Sequence, residues 1–316
     1  MRLCRGIHFK TVLKYTIRRL LLMIPTLFFV SLITFGLAKA APGSPFDKNP
    51  DKPARQATID RWNAYYGLDK PVHEQYIQYM GNVLKLDFGT SVRRQRPVSE
   101  IIGQGFPVTA QLGVQALLLA LAVALPLGVI SALKQNSMID YGSLFFATVG
   151  TTIPSFVMAI FFIYIFGLGL HLFPITGWGT PQHMVMPTVI LALGASAFLA
   201  RITRASMLET LNQDYIRTAH AKGLATQNVL TVHALRNAAV PIVTVIGIGV
   251  ALLIGGVVVT ESVFAIPGLG RLTVDAILRR DYPVIQGIIL VFSGAYVVVN
   301  LVVDMLYTVL DPRIRY

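Results

Sequence analysis

Asp214-Tyr-Ile-Arg-Thr-Ala-His-Ala-Lys-Gly-Leu224, continued by His233-Ala-Leu-Arg-Asn-Ala-Ala-Val-Pro241, separates two apolar runs, each long enough to cross a bilayer. The stretch itself is too polar to lie within one. Leu208, Leu211, Tyr215 and Ala219 recur at helical spacing, which predicts one apolar, small-residue face with Glu209, Arg217 and Lys222 in water. Gly223 is a natural helix stop. Thr226 then reads as an N-cap before Val229, Leu230 and Val232, and Asn237 and Pro241 lead into the next apolar run. The pattern is helix, turn, helix on one membrane face, within a cytoplasmic loop drawn at 205–237.

Working outward, the chain of 316 residues is 54% hydrophobic and only 13% charged, with a mean hydropathy of +0.63. Soluble domains carry about twice that charge fraction, so the chain reads as an all-α polytopic membrane protein with about six transmembrane helices. A single cysteine, Cys4, excludes an internal disulfide framework. The formal net charge of +12 is placed mainly on loops and tails that the positive-inside rule assigns to the cytoplasm. Lipid headgroups therefore account for it better than nucleic acid does.

Residues 1–19 hold Arg2, Arg5, Lys10, Lys14, Arg18 and Arg19 without an acidic residue, and 20–38 form the first span. That apolar run is longer than a signal-peptide core, which predicts a retained helix with its amino terminus inside. Residues 39–107 form a polar outside loop. Basic residues outnumber acidic ones there, but long translocated loops are exempt from the positive-inside count. The region 108–316 holds the remaining spans: Thr109–Leu133, Leu144–Leu170 interrupted at Pro154, Val185–Ala200, Ala238–Thr260 and Val284–Leu310. Arg201 and Arg204 close the fourth span and are expected to snorkel to headgroups. Both termini are expected in the cytoplasm.

Two features invite chemistry. Glu261, at an outer boundary, should face a cavity, a partner or headgroups, because a lipid-facing carboxylate is costly. Asp304, four residues after Asn300 within the last span, is a functional candidate on the same ground, with a helix-end ion pair to Arg201 or Arg204 as the alternative. Enzyme motifs are missing: His73-Glu74 leads to no His-Glu-x-x-His pair, and no Gly-x-Ser-x-Gly turn occurs. No Gly-x-x-x-x-Gly-Lys-Ser/Thr loop is present to hold ATP phosphates.

The organising stretch resembles the "EAA" loop of ABC importer permeases: Glu-Ala-Ala, three residues, Gly, nine residues, then Ile-x-Leu-Pro. Ala219, Gly223 and Leu235 match that pattern in register. Arg217, Thr218, His233 and Arg236 depart from it and are similar to the peptide-transporter branch. Pro42-Gly-Ser-Pro45, Tyr66-Gly-Leu-Asp-Lys-Pro71, Leu86-Asp-Phe-Gly-Thr-Ser91, Glu261-Ser-Val-Phe-Ala-Ile-Pro-Gly-Leu-Gly270 and Asp281-Tyr-Pro283 extend the resemblance over nearly the whole chain. On these residues the chain is identified as a member of the dipeptide/oligopeptide/nickel ABC import family, as a B-type permease subunit. The resemblance implies a type I importer permease fold in the bacterial inner membrane. It implies a second homologous permease subunit, two ATP-binding subunits and an external substrate-binding protein as partners, with lipid around the spans and no nucleic acid. No cofactor is expected on this chain, ATP and magnesium being used by the partner subunits. Tyr215, Arg217, Thr218, Ala219, Lys222, Gly223, Leu235 and Arg236 are the implied ATPase-coupling residues. Glu261, Phe264, Pro267, Gly268 and Asp304 are the candidates for the gate and pathway. Peptides are the expected cargo, with nickel chelates, glutathione or oligosaccharides carried by close relatives. A carrier or channel acting alone is the reading from another class.

Overall fold

The described residues are mostly helical, because apolar runs in a membrane must satisfy every backbone N–H and C=O internally. The computed structural model describes residues 2–40, 67 and 70–310, with side chains from residue 16 to 306. Pro42–Pro45, half of Tyr66–Pro71 and the closing Asp311–Arg315 lie outside the described residues. The helices are α1 (Arg2–Ala40), α2 (Val72–Val83), α3 (Val98–Leu133), α4 (Met138–Thr152), α5 (Ser155–Phe162), α6 (Pro181–Leu211), α7 (Asp214–Ala221), α8 (Thr226–Asn228), α9 (Leu235–Val263), α10 (Leu269–Leu278) and α11 (Tyr282–Leu310). Two π-helical turns, Ile163–Gly169 and Val229–Ala234, extend α5 and join α8 to α9. Among the described residues, five helices are long and apolar enough to cross a membrane, and α4 with α5 makes a sixth if taken as one span.

That sixth span is bent by 102°. The cause is Pro154, which stands at φ −58°, ψ 140° before α5, and whose ring disfavours a helical Ile153. Ile153 is accordingly extended at ψ 121°.

The described residues fall into two compact units. The first comprises residues up to Leu21, Thr109–Ile266 and those from Tyr296 onward; the second comprises Leu22–Val108 and Pro267–Ala295. In the first unit α6 is the central rod, packed against α4 and α9. Small residues set the spacing. A Cβ on Gly128 of α3 would stand 2.6 Å from the Thr203 Cβ and 2.7 Å from the Ala200 carbonyl oxygen, and one on Gly150 of α4 would stand 2.6 Å from the Ala197 Cβ. Such backbone approach lets helices pack where lipid supplies no hydrophobic drive. On α9, Gly247 faces Val303 and Gly256 meets Leu191, whereas Gly249 and Gly255 have nothing within 4 Å.

A buried ion pair clamps the same rod. Asp140, at the start of α4 and 1% exposed, takes Arg204 Nε on Oδ1 at 2.5 Å and Nη2 on Oδ2 at 2.7 Å. Ser131 and the Asn136 amide fill its remaining acceptor positions. Arg204 therefore does not snorkel, as its place at a span end suggests. A carboxylate buried on a neighbouring helix is the better partner, because four donors offset its desolvation.

In the second unit, α1 and α2 meet through aromatic side chains, with Tyr76 edge-on to Phe28 and Phe35 and its hydroxyl 2.8 Å from Ser31 Oγ. Val98, Ile101, Ile102, Leu269, Val284 and Ile288 form this unit's apolar core. Asp281 organises the loop before α3. Its carboxylate accepts from Ser91 Oγ at 2.5 Å and from the amides of Val92 and Arg93. Asp281 is 3% exposed, so these donors replace the water it has lost.

Candidate functional site: the helical turn between α6 and α9

Helix α6 stops at Leu211, and Gln213 takes up an extended backbone at ψ 147° before α7 begins. The break matters for which residues face inward. A continuous helix from Leu208 would carry its apolar face through Tyr215. The extended Gln213 resets the phase, so Ile216 and Ala219 are buried at 3% and 6% while Tyr215 is 41% exposed. Ile216 and Ala219 pack with Leu199, Ala200, Met207, Val229 and Ala234 in one core cluster. Full burial of an Ile side chain is worth about 2 kcal/mol, enough to hold a two-turn helix that could not persist alone.

Gly223 ends α7. Its φ of +75° is the left-handed conformation that glycine adopts without a Cβ clash, and its N–H donates to the His220 carbonyl while Leu224 N–H donates to that of Ala219. Thr226 is the first residue of α8 instead of its cap, the cap position being Ala225. The π-turn Val229–Ala234 then widens the helix by about one residue per turn and keeps Val229 and Ala234 in the core. Tyr215 is tied back to α9 by Asn237, whose Nδ2 donates to the tyrosine hydroxyl at 3.1 Å.

The expected coupling residues therefore separate into two sets. Ala219 is a core residue that seats the helix in the apolar cluster shared with α6 and the Val229–Ala234 turn. Tyr215, Arg217, Thr218, Lys222, Gly223, Leu235 and Arg236 are exposed. Together with exposed Leu224 and Val232, they make a mixed basic and aliphatic surface. Arg217 and Asp214 are 3.9 Å apart and almost wholly solvated, so that pair adds little.

The gate and pathway candidates do not form one cluster. Glu261 is fully buried at the end of α9 and accepts a hydrogen bond from Thr109 of α3 at 2.6 Å. Phe264, 2% exposed, follows it, and its carbonyl accepts from the N–H of Gly177 at 2.9 Å. Pro267 and Gly268 belong to the second unit, where Gly268 precedes α10. Asp304 sits elsewhere in the first unit and pairs with Arg19 at 3.2 Å, not with Arg201 or Arg204. Its neighbour Val303 packs on Gly247, fourteen residues before Glu261, or about 21 Å along α9. Asp140 and its clamp were not among the expected site residues. The available signal was a lone carboxylate opening an otherwise apolar helix after the Lys134–Ser137 turn.

Comparison with known proteins agrees with this architecture. Residues 124–316 match the family "Binding-protein-dependent transport system inner membrane component", and residues 12–113 match its amino-terminal companion family. The chain is 43% identical over 303 residues to a dipeptide transport system permease protein, DppB, of Bacillus subtilis (strain 168), covering 96% of this chain and 98% of that one. It is 42% identical to the oligopeptide permease AppB of the same organism, with 96% and 99% covered, and 38% identical to DppB of Escherichia coli (strain K12), with the same coverage. Among solved structures, a chain of the inward-facing MetNI methionine ABC transporter superposes with a TM-score of 0.55 at 16% identity, over 67% of this chain and 96% of that one. At that identity the likeness speaks for the fold alone. A polytopic helical chain, matched along almost its whole length by permeases, is placed by these findings: it belongs to the inner-membrane components of binding-protein-dependent ABC transport systems.

Proposed function

We propose that this chain forms half of the translocation pathway of an ATP-driven importer of dipeptides or oligopeptides and that α7, with the turn to α9, receives force from a separate ATPase subunit. The observation that carries the coupling role is the two-sidedness of α7. Ile216 and Ala219 anchor it in the core of its own unit, while Arg217, Thr218, Lys222, Leu235 and Arg236 project outward. A rigidly seated helix with an unburied contact face suits the transmission of a push, because packed interiors shift as bodies instead of deforming. The peptide relatives support the cargo. The partners are a second permease, two ATP-binding subunits and an external binding protein, with both termini and α7 in the cytoplasm. ATP and magnesium act in those partners.

Arg217→Glu with Lys222→Glu tests the coupling role, since neither side chain touches the core. In the assembled transporter the variant should insert normally. It should lose about tenfold or more of the ATP hydrolysis stimulated by loaded binding protein, the loss of one good charged contact. Normal stimulation, or peptide transport by the chain without ATPase subunits, overturns the proposal.

A further inference from the structure

The corner between α10 and α11 carries a surface that the transport reading does not use. Ile277 and Leu278 are 55% and 77% exposed, and the next two residues, Arg279 and Arg280, are exposed as well. Helix α10 ends there as a left-handed cap: Asp281 N–H donates to the Ala276 carbonyl at 2.8 Å and Arg280 stands at φ +55°. Glycine is the residue that fits this position without strain. An arginine held there starts its side chain from a fixed point on a backbone that L-residues adopt at a cost.

More basic side chains are brought to the same corner. Asp281, by accepting Ser91 Oγ and the amides of Val92 and Arg93, fixes the loop that carries Arg93 and Arg94. Arg93 Nε donates to the Arg279 carbonyl at 2.8 Å. A recess between them is floored by Leu272, Ala276 and Val284. The nearby acids are already engaged: Asp281 by the loop, and Asp275 by Arg94 at 3.8 Å. Arg279 and Arg280 have no carboxylate partner among the described residues. The corner also immediately precedes the membrane-crossing helix that starts at Tyr282, and the Arg93–Arg96 loop immediately precedes the one that starts at Val98.

We propose that this corner binds the headgroup of an anionic phospholipid. Arg279 and Arg280, with Arg93 beside them, take the phosphate, and Ile277 and Leu278 enter the acyl boundary. Guanidinium groups match phosphate oxygens in paired hydrogen bonds, and adjacent aliphatic and basic side chains at a span end are how peripheral helices hold an interface. The charge favours an anionic headgroup over a zwitterionic one, and continuity with two spans favours lipid over a soluble partner.

The test uses the assembled transporter in detergent, titrated with phosphatidylglycerol or with phosphatidylethanolamine and read by native mass spectrometry for retained lipid. Wild-type complex should retain phosphatidylglycerol selectively. Arg279→Gln with Arg280→Gln should bind it about thirtyfold more weakly, each basic residue near a membrane surface contributing about fivefold. Arg279→Lys with Arg280→Lys should keep most of the retention, which separates charge from folding. Ile277→Ser with Leu278→Ser should weaken it with the charge intact. Equal retention by wild type and the glutamine variant overturns the proposal. So does loss of binding to the external protein or the second permease, with lipid retention unchanged, because the corner would then be a protein contact.

Discussion

Breaking the Asp140–Arg204 clamp should cost more from the arginine side than from the aspartate side. With Arg204→Gln, a carboxylate 1% exposed keeps only Ser131 and the Asn136 amide as donors. Removing one partner of a buried pair costs about 3–5 kcal/mol, because the stranded charge has neither water nor counter-ion. With Asp140→Asn the stranded charge is the guanidinium, whose side chain is 17% exposed and has a route to water or headgroups, so roughly 1–3 kcal/mol is expected. The double variant sets two amides face to face in about the same volume and should cost about 1–2 kcal/mol. The cycle therefore closes with a coupling energy of about 2–7 kcal/mol. Unfolding the purified chain in mixed micelles by added denaturing detergent, followed by tryptophan fluorescence, measures all four corners. Additivity within about 0.5 kcal/mol, or a larger loss from Asp140→Asn than from Arg204→Gln, would refute the reasoning.

Three further outcomes follow from the packing. Gly128→Ala places a Cβ 2.7 Å from a backbone oxygen that has nowhere to move, and should destabilise by about 1–3 kcal/mol, whereas Gly249→Ala, with open space around it, should lie within about 0.5 kcal/mol of wild type in the same detergent titration. Asp281→Ala removes three hydrogen bonds to the Ser91–Arg93 loop. Trypsin should then cut after Arg93 or Arg94 roughly tenfold faster, consistent with local opening made about 1.4 kcal/mol easier, and an unchanged rate would mean that the loop is held by something else. Gly223→Ala forces a Cβ into the left-handed region and should cost about 1–2 kcal/mol, while Gly223→Asn should cost less because asparagine tolerates that conformation.

The spans were legible because twenty apolar residues in a row admit few alternatives, and the sharp break at Pro154 because proline restricts the residue before it. The Gly223 stop was legible for the same kind of local reason. What escaped was whatever depends on phase or distance. The apolar face of α7 shifted from Tyr215 to Ile216 because Asn212 and Gln213 interrupt the helix, and nothing in a periodic count registers a one-residue reset. The partners of Asp304 and Asp140 were likewise hidden: Arg19 and Arg204 lie 285 and 64 positions away in the chain, and many basic residues could have served each. Val229–Ala234 has no composition that marks it as π-helical.

The same packing bears on how a push at α7 would travel. Ile216 and Ala219 share their core cluster with Leu199 and Ala200 of α6 and with Ala238 and Ile242 of α9, and α7 packs directly on the Val229–Ala234 turn that leads into α9, so a shift of α7 bears first on that turn. Along α6, Gly128 and Gly150 come into close contact with Ala200, Thr203 and Ala197 and leave little slack for sliding, and the Asp140–Arg204 pair fixes the register at one level. Helix α9 starts beside the exposed Leu235 and Arg236 and ends at Glu261 and Phe264, a rod of 29 residues and so about 43 Å long. Its far end is joined to Thr109 by the Glu261 carboxylate and to the Gly177 loop by the Phe264 carbonyl. A displacement at the Leu235 end of α9 would therefore bear on those two hydrogen bonds. These polar contacts are the ones to re-form if the pathway alternates, because the core side of the rod is held by apolar packing.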